Sequence, residues 1–287
     1  MFKKISLALT FTLLNLNCHA VTEKSYFMLD IGTKTILDSK NSDRKIYPAS
    51  LTKLMVAYIV LENVKNKKLT ISDSILDFYD PDISDGIIVN KEQKINTSIF
   101  ESLNAMMTHS SNDCGWILAH EILKKYDTFV SKMNQTAQEL GMNNTNFTNL
   151  DGLFDKENYS TARDIGILMY AIQRDFPEFL PFLNNQQLFK NGQVYEKKTT
   201  IDNDMYGIIA SKTGYIDASG RNLAVIFKSK NSNAVIVSIG NDSYVEANMK
   251  IAKLLKKNIK TEELEINEKN LEKYSTFAQF LETIFYD

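Results

Sequence analysis

The chain has 287 residues, 44% of them hydrophobic and 24% charged, with a formal net charge of −2. That is enough apolar material for one large or two small domains, and no basic run interleaved with aromatics offers a nucleic-acid footprint. Cys18, Cys114 and three histidines have neither the spacing nor the clustering of a zinc site.

Lys3 and Lys4, the mostly apolar residues 5–16 and the small-residue site Cys18-His19-Ala20 read as a signal segment cleaved after about Ala20. The apolar run is too short for a membrane span. Cleavage removes two lysines and no acid, and leaves Cys114 as the one cysteine. An intramolecular disulfide is then impossible, and Cys114 is expected to be a small buried hydrophobe. Residues 26–30 and 34–37 are predicted to be two strands of a hairpin around Gly32-Thr33.

From Leu51 to Leu61 the chain is almost wholly apolar, with Lys53 its only charge. A helix apolar all round is a buried helix, here running to about Asn63. Pro48 suits the position ahead of its start and Ser50 the first turn. Ser50 and Lys53, three apart, share a helix face. Burial and the positive end of the helix dipole both disfavour an ammonium there, which places a neutral base beside a nucleophile. Ser42-Asp43-Arg44-Lys45 repeats the spacing in a polar stretch with no apolar helix behind it, and reads as a loop.

Residues 69–92 are mixed and polar, with turn signals at Asp80-Pro81-Asp82 and Ser84-Asp85-Gly86. Helices are predicted at 100–107, 113–125 and 129–140, the last stopped by Gly141. A polar loop follows at 143–149, and a helix from Ser160-Thr161-Ala162-Arg163-Asp164 to about Arg174. Residues 208–212, 223–228 and 234–239 are β-rich, and 244–257 form an amphipathic helix. Strands at both ends with helices between predict a mixed α/β layered domain over 21–258, one sheet with an inserted helical cluster. Residues 259–287 read as an acidic linker and a C-terminal amphipathic helix, with Phe277, Phe280, Leu281, Ile284 and Phe285 at helical spacing. That helix carries Glu282 and Asp287 and no base after Lys273, which disfavours peripheral membrane contact. Its apolar face is expected to pack on the protein or on a partner.

Ser110-Ser111-Asn112 falls between two predicted helices, where Ser and Asn ordinarily serve as N-caps. Lys212-Thr213-Gly214 ends a predicted strand. It is either an ordinary strand-end turn or a cation and a hydroxyl at a strand edge, with Gly letting a substrate approach the backbone.

In order, Ser50-x-x-Lys53, Ser110-x-Asn112 and Lys212-Thr213-Gly214 resemble the motifs of the penicillin-recognising serine acyl-transferases. With Pro48-Ala49-Ser50-Leu51-Thr52-Lys53-Leu54-Met55, Ser110-Ser111-Asn112-Asp113, Gly141-Met142-Asn143-Asn144-Thr145 and Ser160-Thr161-Ala162-Arg163-Asp164, the chain from about 24 to 257 resembles the low-molecular-weight penicillin-binding proteins, serine D-alanyl-D-alanine carboxypeptidases. The resemblance implies a β-lactamase/transpeptidase-like α/β (α+β layered) fold, an antiparallel sheet with flanking helices and an inserted helical cluster. It implies a catalytic set of Ser50 (acylated nucleophile), Lys53 (general base) and Ser110 (proton relay to the leaving group). Asn112, Lys212, Thr213 and Gly214 would bind substrate, and the backbone N–H groups of Ser50 and Tyr215 would form the oxyanion hole. It implies no metal and no organic cofactor. The substrate would be a peptidoglycan pentapeptide or cross-linked peptide in the periplasm or cell envelope, with β-lactam antibiotics as acylating inhibitors.

There are departures from the pattern. Ser111 stands where relatives often have Gly. Asn233 aligns where many relatives carry an arginine that holds the terminal carboxylate, which opens the alternative of a D-Ala endopeptidase cutting cross-links. With Asp287 the last residue, the family's common second all-β domain is expected to be missing. A class A-like β-lactamase would need Glu-x-x-Leu-Asn, but Phe100 and Leu180 precede the Leu-Asn pairs at 103–104 and 183–184. A catalytically silent binding protein would not need the reactive side chains that are all present.

Overall fold

The β-rich runs of the sequence come together in one five-stranded antiparallel sheet. A computed structural model of the protein describes residues 24–76, 96–123, 126–180, 183, 187–190, 193–196 and 207–260. The expected signal segment, the tail beyond residue 260 and its helix lie outside the described residues. The sheet is built from β1 (Ser25–Asp30), β2 (Ile36–Lys40), β7 (Ile208–Ile216), β8 (Gly220–Lys228) and β9 (Asn233–Asn241), in the order β2-β1-β9-β8-β7. Strands from both ends of the chain therefore share one sheet, as expected.

The sheet is covered on both faces, which is why β8 and β9 read as continuous apolar runs rather than alternating ones. Successive side chains still divide between the faces. Leu223, Val225, Phe227, Ala234 and Ile236 pack against Ala247, Ile251, Leu254 and Leu255 of α6 (Tyr244–Asn258). Ala224, Ile226, Val235, Val237 and Ile239 face the helical layer. That layer contains α1 (Lys53–Lys65), α2 (Ile99–Thr108), α3 (Asn112–Leu123), α4 (Tyr126–Glu139) and α5 (Ala162–Asp175). Helix α1 is buried at every position from Lys53 to Leu61, as its almost wholly apolar sequence requires. Cys114 on α3 is fully enclosed.

Local chemistry fixes the helix ends more closely than periodicity does. Helix α2 begins at Ile99 because Ser98 and Glu101 form a reciprocal cap: Glu101 N–H donates to Ser98 Oγ (3.1 Å) and Ser98 N–H to Glu101 Oε2 (2.9 Å). Helix α5 is capped by Thr161, whose Oγ1 accepts from Asp164 N–H (3.0 Å). The Asp164 carboxylate then accepts from Asn144 N–H (2.9 Å) and Thr145 Oγ1 (2.7 Å). Two motifs 20 residues apart in sequence are thus one hydrogen-bonded joint. The second Ser-x-x-Lys copy is a loop, and Asp43 in it receives a hydrogen bond from Arg163 Nη2 (2.9 Å).

Several elements differ from the sequence reading. The second strand is Ile36–Lys40 rather than 34–37, since Asp30 Oδ1 accepts from Thr33 N–H and lengthens the turn. Two short antiparallel pairs escape prediction: β3 (Ser74–Leu76) with β4 (Asn96–Ser98), and β5 (Gln187–Lys190) with β6 (Gln193–Glu196). At three or four residues they are too short to display a period. Lys212-Thr213-Gly214 does not end a strand: β7 continues to Ile216, and Gly214, Tyr215 and Ile216 still pair with β8.

Candidate active site

The nucleophile candidate lies on a sharply constrained turn. Ala49 has φ +50°, and residues Ala49–Thr52 form a 3-10 turn that leads directly into α1. Ser50 is thus on the turn before the helix, not in the helix itself, and Lys53 is the first α-helical residue. The three-residue spacing still brings them together, with Lys53 Nζ 3.1 Å from Ser50 Oγ. Lys53 is wholly buried, and its Nζ also donates to the carbonyl of Asp151 at 2.7 Å.

The second and third motifs meet across the cleft. Ser110, between α2 and α3, has φ +65°, a left-handed conformation that a serine adopts only where its surroundings impose it. Lys212, 1% exposed, donates to Ser110 Oγ (2.9 Å) and to the Thr213 carbonyl (3.1 Å). Gly214 closes β7 onto the nucleophile turn. A Cβ there would lie 2.9 Å from Pro48 O and 3.1 Å from the amide nitrogens of Ser50 and Leu51. Only glycine lets the strand approach this closely.

Ser50, Ser110, Asn112, Thr213, Gly214 and Tyr215 border one cleft of about 250 Å³. Lys53 and Lys212 sit behind it, each within hydrogen-bond reach of one of the two serines. The structure brings together every residue singled out from the three motifs. The exception concerns specificity. Asn233 starts β9 and pairs with Lys228, whereas Gly214 pairs with Asn222. Asn233 therefore lies at the end of the sheet away from the cleft and does not occupy a carboxylate-holding position there.

Residues 14–243 match the D-alanyl-D-alanine carboxypeptidase family, peptidase S11. The chain belongs to this family. It is 31% identical over 250 residues to the D-alanyl-D-alanine carboxypeptidase DacA of Haemophilus influenzae, covering 82% of this chain and 61% of that relative. It is 32% identical over 226 residues to a D-alanyl-D-alanine endopeptidase of the same organism, covering 77% of this chain and 76% of that one. Among solved structures, penicillin binding protein 5 of Haemophilus influenzae superposes with a TM-score of 0.77 at 28% identity, over 82% of this chain and 70% of that chain. The chain thus has the fold of the penicillin-binding carboxypeptidases but spans only about three fifths of the length of the DacA relative.

Sequence reasoning missed one wall of the family's cleft. Asp151, Gly152, Leu153, Ile216 and Tyr244 also line it. The polar loop read from the sequence, 143–149, stops short of this segment. Its signal was the Asp151-Gly152 turn followed by Leu153 and Phe154, two large apolar residues that remain 57% and 61% exposed.

Proposed function

We propose that the protein is a serine D-Ala-D-Ala carboxypeptidase that acts on peptidoglycan stem peptides through an acyl-enzyme on Ser50. The observation that carries this reading is the wholly buried Lys53 amine 3.1 Å from Ser50 Oγ at the floor of an open cleft. Burial disfavours the ammonium form, so the amine takes the hydroxyl proton as Ser50 Oγ attacks the carbonyl of the penultimate D-Ala. The oxyanion is held by the backbone N–H groups of Ser50 and Tyr215. Ser110, fixed by Lys212, passes a proton to the nitrogen of the departing D-Ala. Thr213 and Asn112 hold the substrate. Water then hydrolyses the ester and returns Ser50. The protein is exported, and its site reacts with β-lactams. Among the described residues no helix is long and apolar enough to cross a membrane.

A D-Ala endopeptidase is the second reading, favoured by the likeness to an endopeptidase over 76% of that relative's length. The two differ in whether the site needs a free terminal carboxylate. Asn233, remote from the cleft, does not bear on the question. Arg221 pairs with Tyr215 as Leu223 pairs with Thr213, so it shares a face of the sheet with Thr213, and its Nη1 donates to the Asp242 carbonyl (2.8 Å). Its guanidinium lies 4.7 Å from the centroid of the Tyr215 ring.

Intact mass after penicillin treatment tests the site: one adduct is expected in the wild type and none in Ser50→Ala, and an adduct that persists in the variant overturns the assignment. Release of D-Ala from a pentapeptide, set against cleavage of a cross-linked dimer, decides between the two reactions. A loss of about a hundredfold on amidating the C-terminus, about 2.7 kcal/mol of transition-state binding, marks a carboxypeptidase.

A further inference from the structure

Lys53 Nζ lies against Ser50 Oγ of its own motif and also donates to the carbonyl of Asp151, which belongs to a loop with no regular structure and lies outside the three motifs. Something must fix that carbonyl, because a misplaced amine forfeits much of its catalytic effect. Two features do so. Gly152, at φ +82°, is pressed onto the nucleophile turn, and a Cβ there would lie 1.8 Å from Ala49 O. Asn149 then braces the loop from within. Its Oδ1 accepts from Gly152 N–H (2.8 Å) and its Nδ2 donates to the Leu153 carbonyl (3.0 Å). Asn158 Nδ2 approaches the same Oδ1 at 3.4 Å, and Asp151 Oδ1 accepts from Leu153 N–H at 3.0 Å.

We propose that Asn149 is a positioning residue for the base: through the peptide of residues 151–153 it sets the Asp151 carbonyl, and through that carbonyl the orientation and basicity of Lys53. The proposal rests on the reading of Lys53 as the base. A neutral amine has two N–H bonds and one lone pair. Committing one N–H to a fixed carbonyl restricts where the lone pair points, and that lone pair must face Ser50 Oγ–H to accept its proton. Once the amine has taken the serine proton, the same carbonyl accepts from an ammonium, a stronger bond than it makes to the neutral amine. It therefore favours the state that forms as the reaction proceeds. Slackening the loop weakens this support, so Lys53 becomes both a weaker and a less well-aimed base.

The experiment measures the second-order rate of Ser50 acylation by a fluorescent penicillin from about pH 5 to 10, with a melting temperature for each protein. Wild type is expected to show a rate that rises with pH, and Lys53→Met to lose that rise. A Lys53→Met protein that kept the wild-type profile would overturn the reading of the base, and this proposal with it, whatever Asn149 does. With the base established, Asn149→Leu should lower the plateau by about ten- to a hundredfold and move the rising limb to lower pH. Asn149→Asp keeps the acceptor for Gly152 N–H and loses the donor to Leu153, so it should give an intermediate shift, and it serves where the leucine variant fails to fold. Asn134 is the comparison. It makes the same two-bond grip at the other end of this segment, with Oδ1 accepting from Phe147 N–H (2.7 Å) and Nδ2 donating to the Phe147 carbonyl (2.8 Å). Asn134→Leu should lower the melting temperature and leave the rising limb in place. The proposal fails if the Asn149 variants melt earlier with an unmoved limb, or if Asn134→Leu moves the limb equally.

Discussion

Gly214 of β7 lies against the amide of Ser50, 164 residues earlier in the chain, with room for a hydrogen and not for a methyl group. The three atoms that a Cβ would meet, Pro48 O and the amide nitrogens of Ser50 and Leu51, are all backbone, so no side chain can rotate away to make space. Gly214→Ala must push the strand off the nucleophile turn. It is expected to cost about 1–3 kcal/mol of stability, as overpacking does. Ser50 acylation should fall by at least about tenfold, because the oxyanion donors separate. Retention of full acylation, followed by mass spectrometry, would show that the two N–H groups do not act together.

Lys53→Arg keeps the positive charge and removes the base, since a guanidinium does not give up its proton. Acylation by penicillin should drop by about 10²–10⁴, the range of general-base catalysis. Steady-state labelling with a fluorescent β-lactam, normalised to folded protein by circular dichroism, measures it. Near-normal labelling would make Lys53 a structural residue.

Asn222, on β8 beside Gly214, is wholly buried and joins three segments. Its Nδ2 donates to the Tyr47 carbonyl (3.2 Å) and to Ser219 Oγ (3.1 Å), and its Oδ1 accepts from Gly240 N–H (3.1 Å). Asn222→Leu leaves buried partners unsatisfied at about 1–3 kcal/mol each. Urea unfolding should show a midpoint lowered by an amount equivalent to about 2–5 kcal/mol, with the slope unchanged.

Tyr58 of α1 donates to Asp175 Oδ2 at the end of α5 (2.8 Å). Burial, followed by the hydrogen bond to Asp175, pushes the phenol well above its ordinary range. The hydrogen bond from Arg174, with Tyr58 contributing, holds the Asp175 carboxyl below its usual value. The raised phenol contributes stability that is complete below its unfolded pKa of about 10 and is lost above it. The depressed carboxyl contributes stability above about pH 4 that is lost as pH falls further. Tyr58→Phe should therefore flatten the alkaline fall in melting temperature above about pH 10. An unaltered alkaline slope would exclude the phenol as its source.

Elements that repeat a strong local pattern were legible: the almost wholly apolar α1, the β8 and β9 runs and the amphipathic α6 lie within a few residues of where the sequence put them. The motif residues are legible by type and order: Ser-x-x-Lys occurs twice, and the apolar run behind Ser50 together with the two later motifs singles out one copy. What the sequence hid depends on contacts between distant segments. Nothing local says that β7 runs past Gly214, since its continuation is set by pairing with β8. Nothing local marks Asp151 as the partner of Lys53, because the contact is made by a backbone carbonyl common to all residues. Nothing local places Asn233 either: the register of β8 with β9 pairs it with Lys228, at the end of the sheet away from the cleft.

Cys114 lies on α3, two residues beyond Asn112, and has no solvent exposure. A thiol so placed reacts with an alkylating reagent only when α3 lifts from its neighbours. With Cys18 in the segment expected to be removed on export, the rate of iodoacetamide uptake becomes a clock for the opening of the wall that carries Ser110 and Asn112. An occupant of the cleft that binds the closed form slows that clock in proportion to its affinity, so the chain carries a native reporter of ligand binding that requires no turnover.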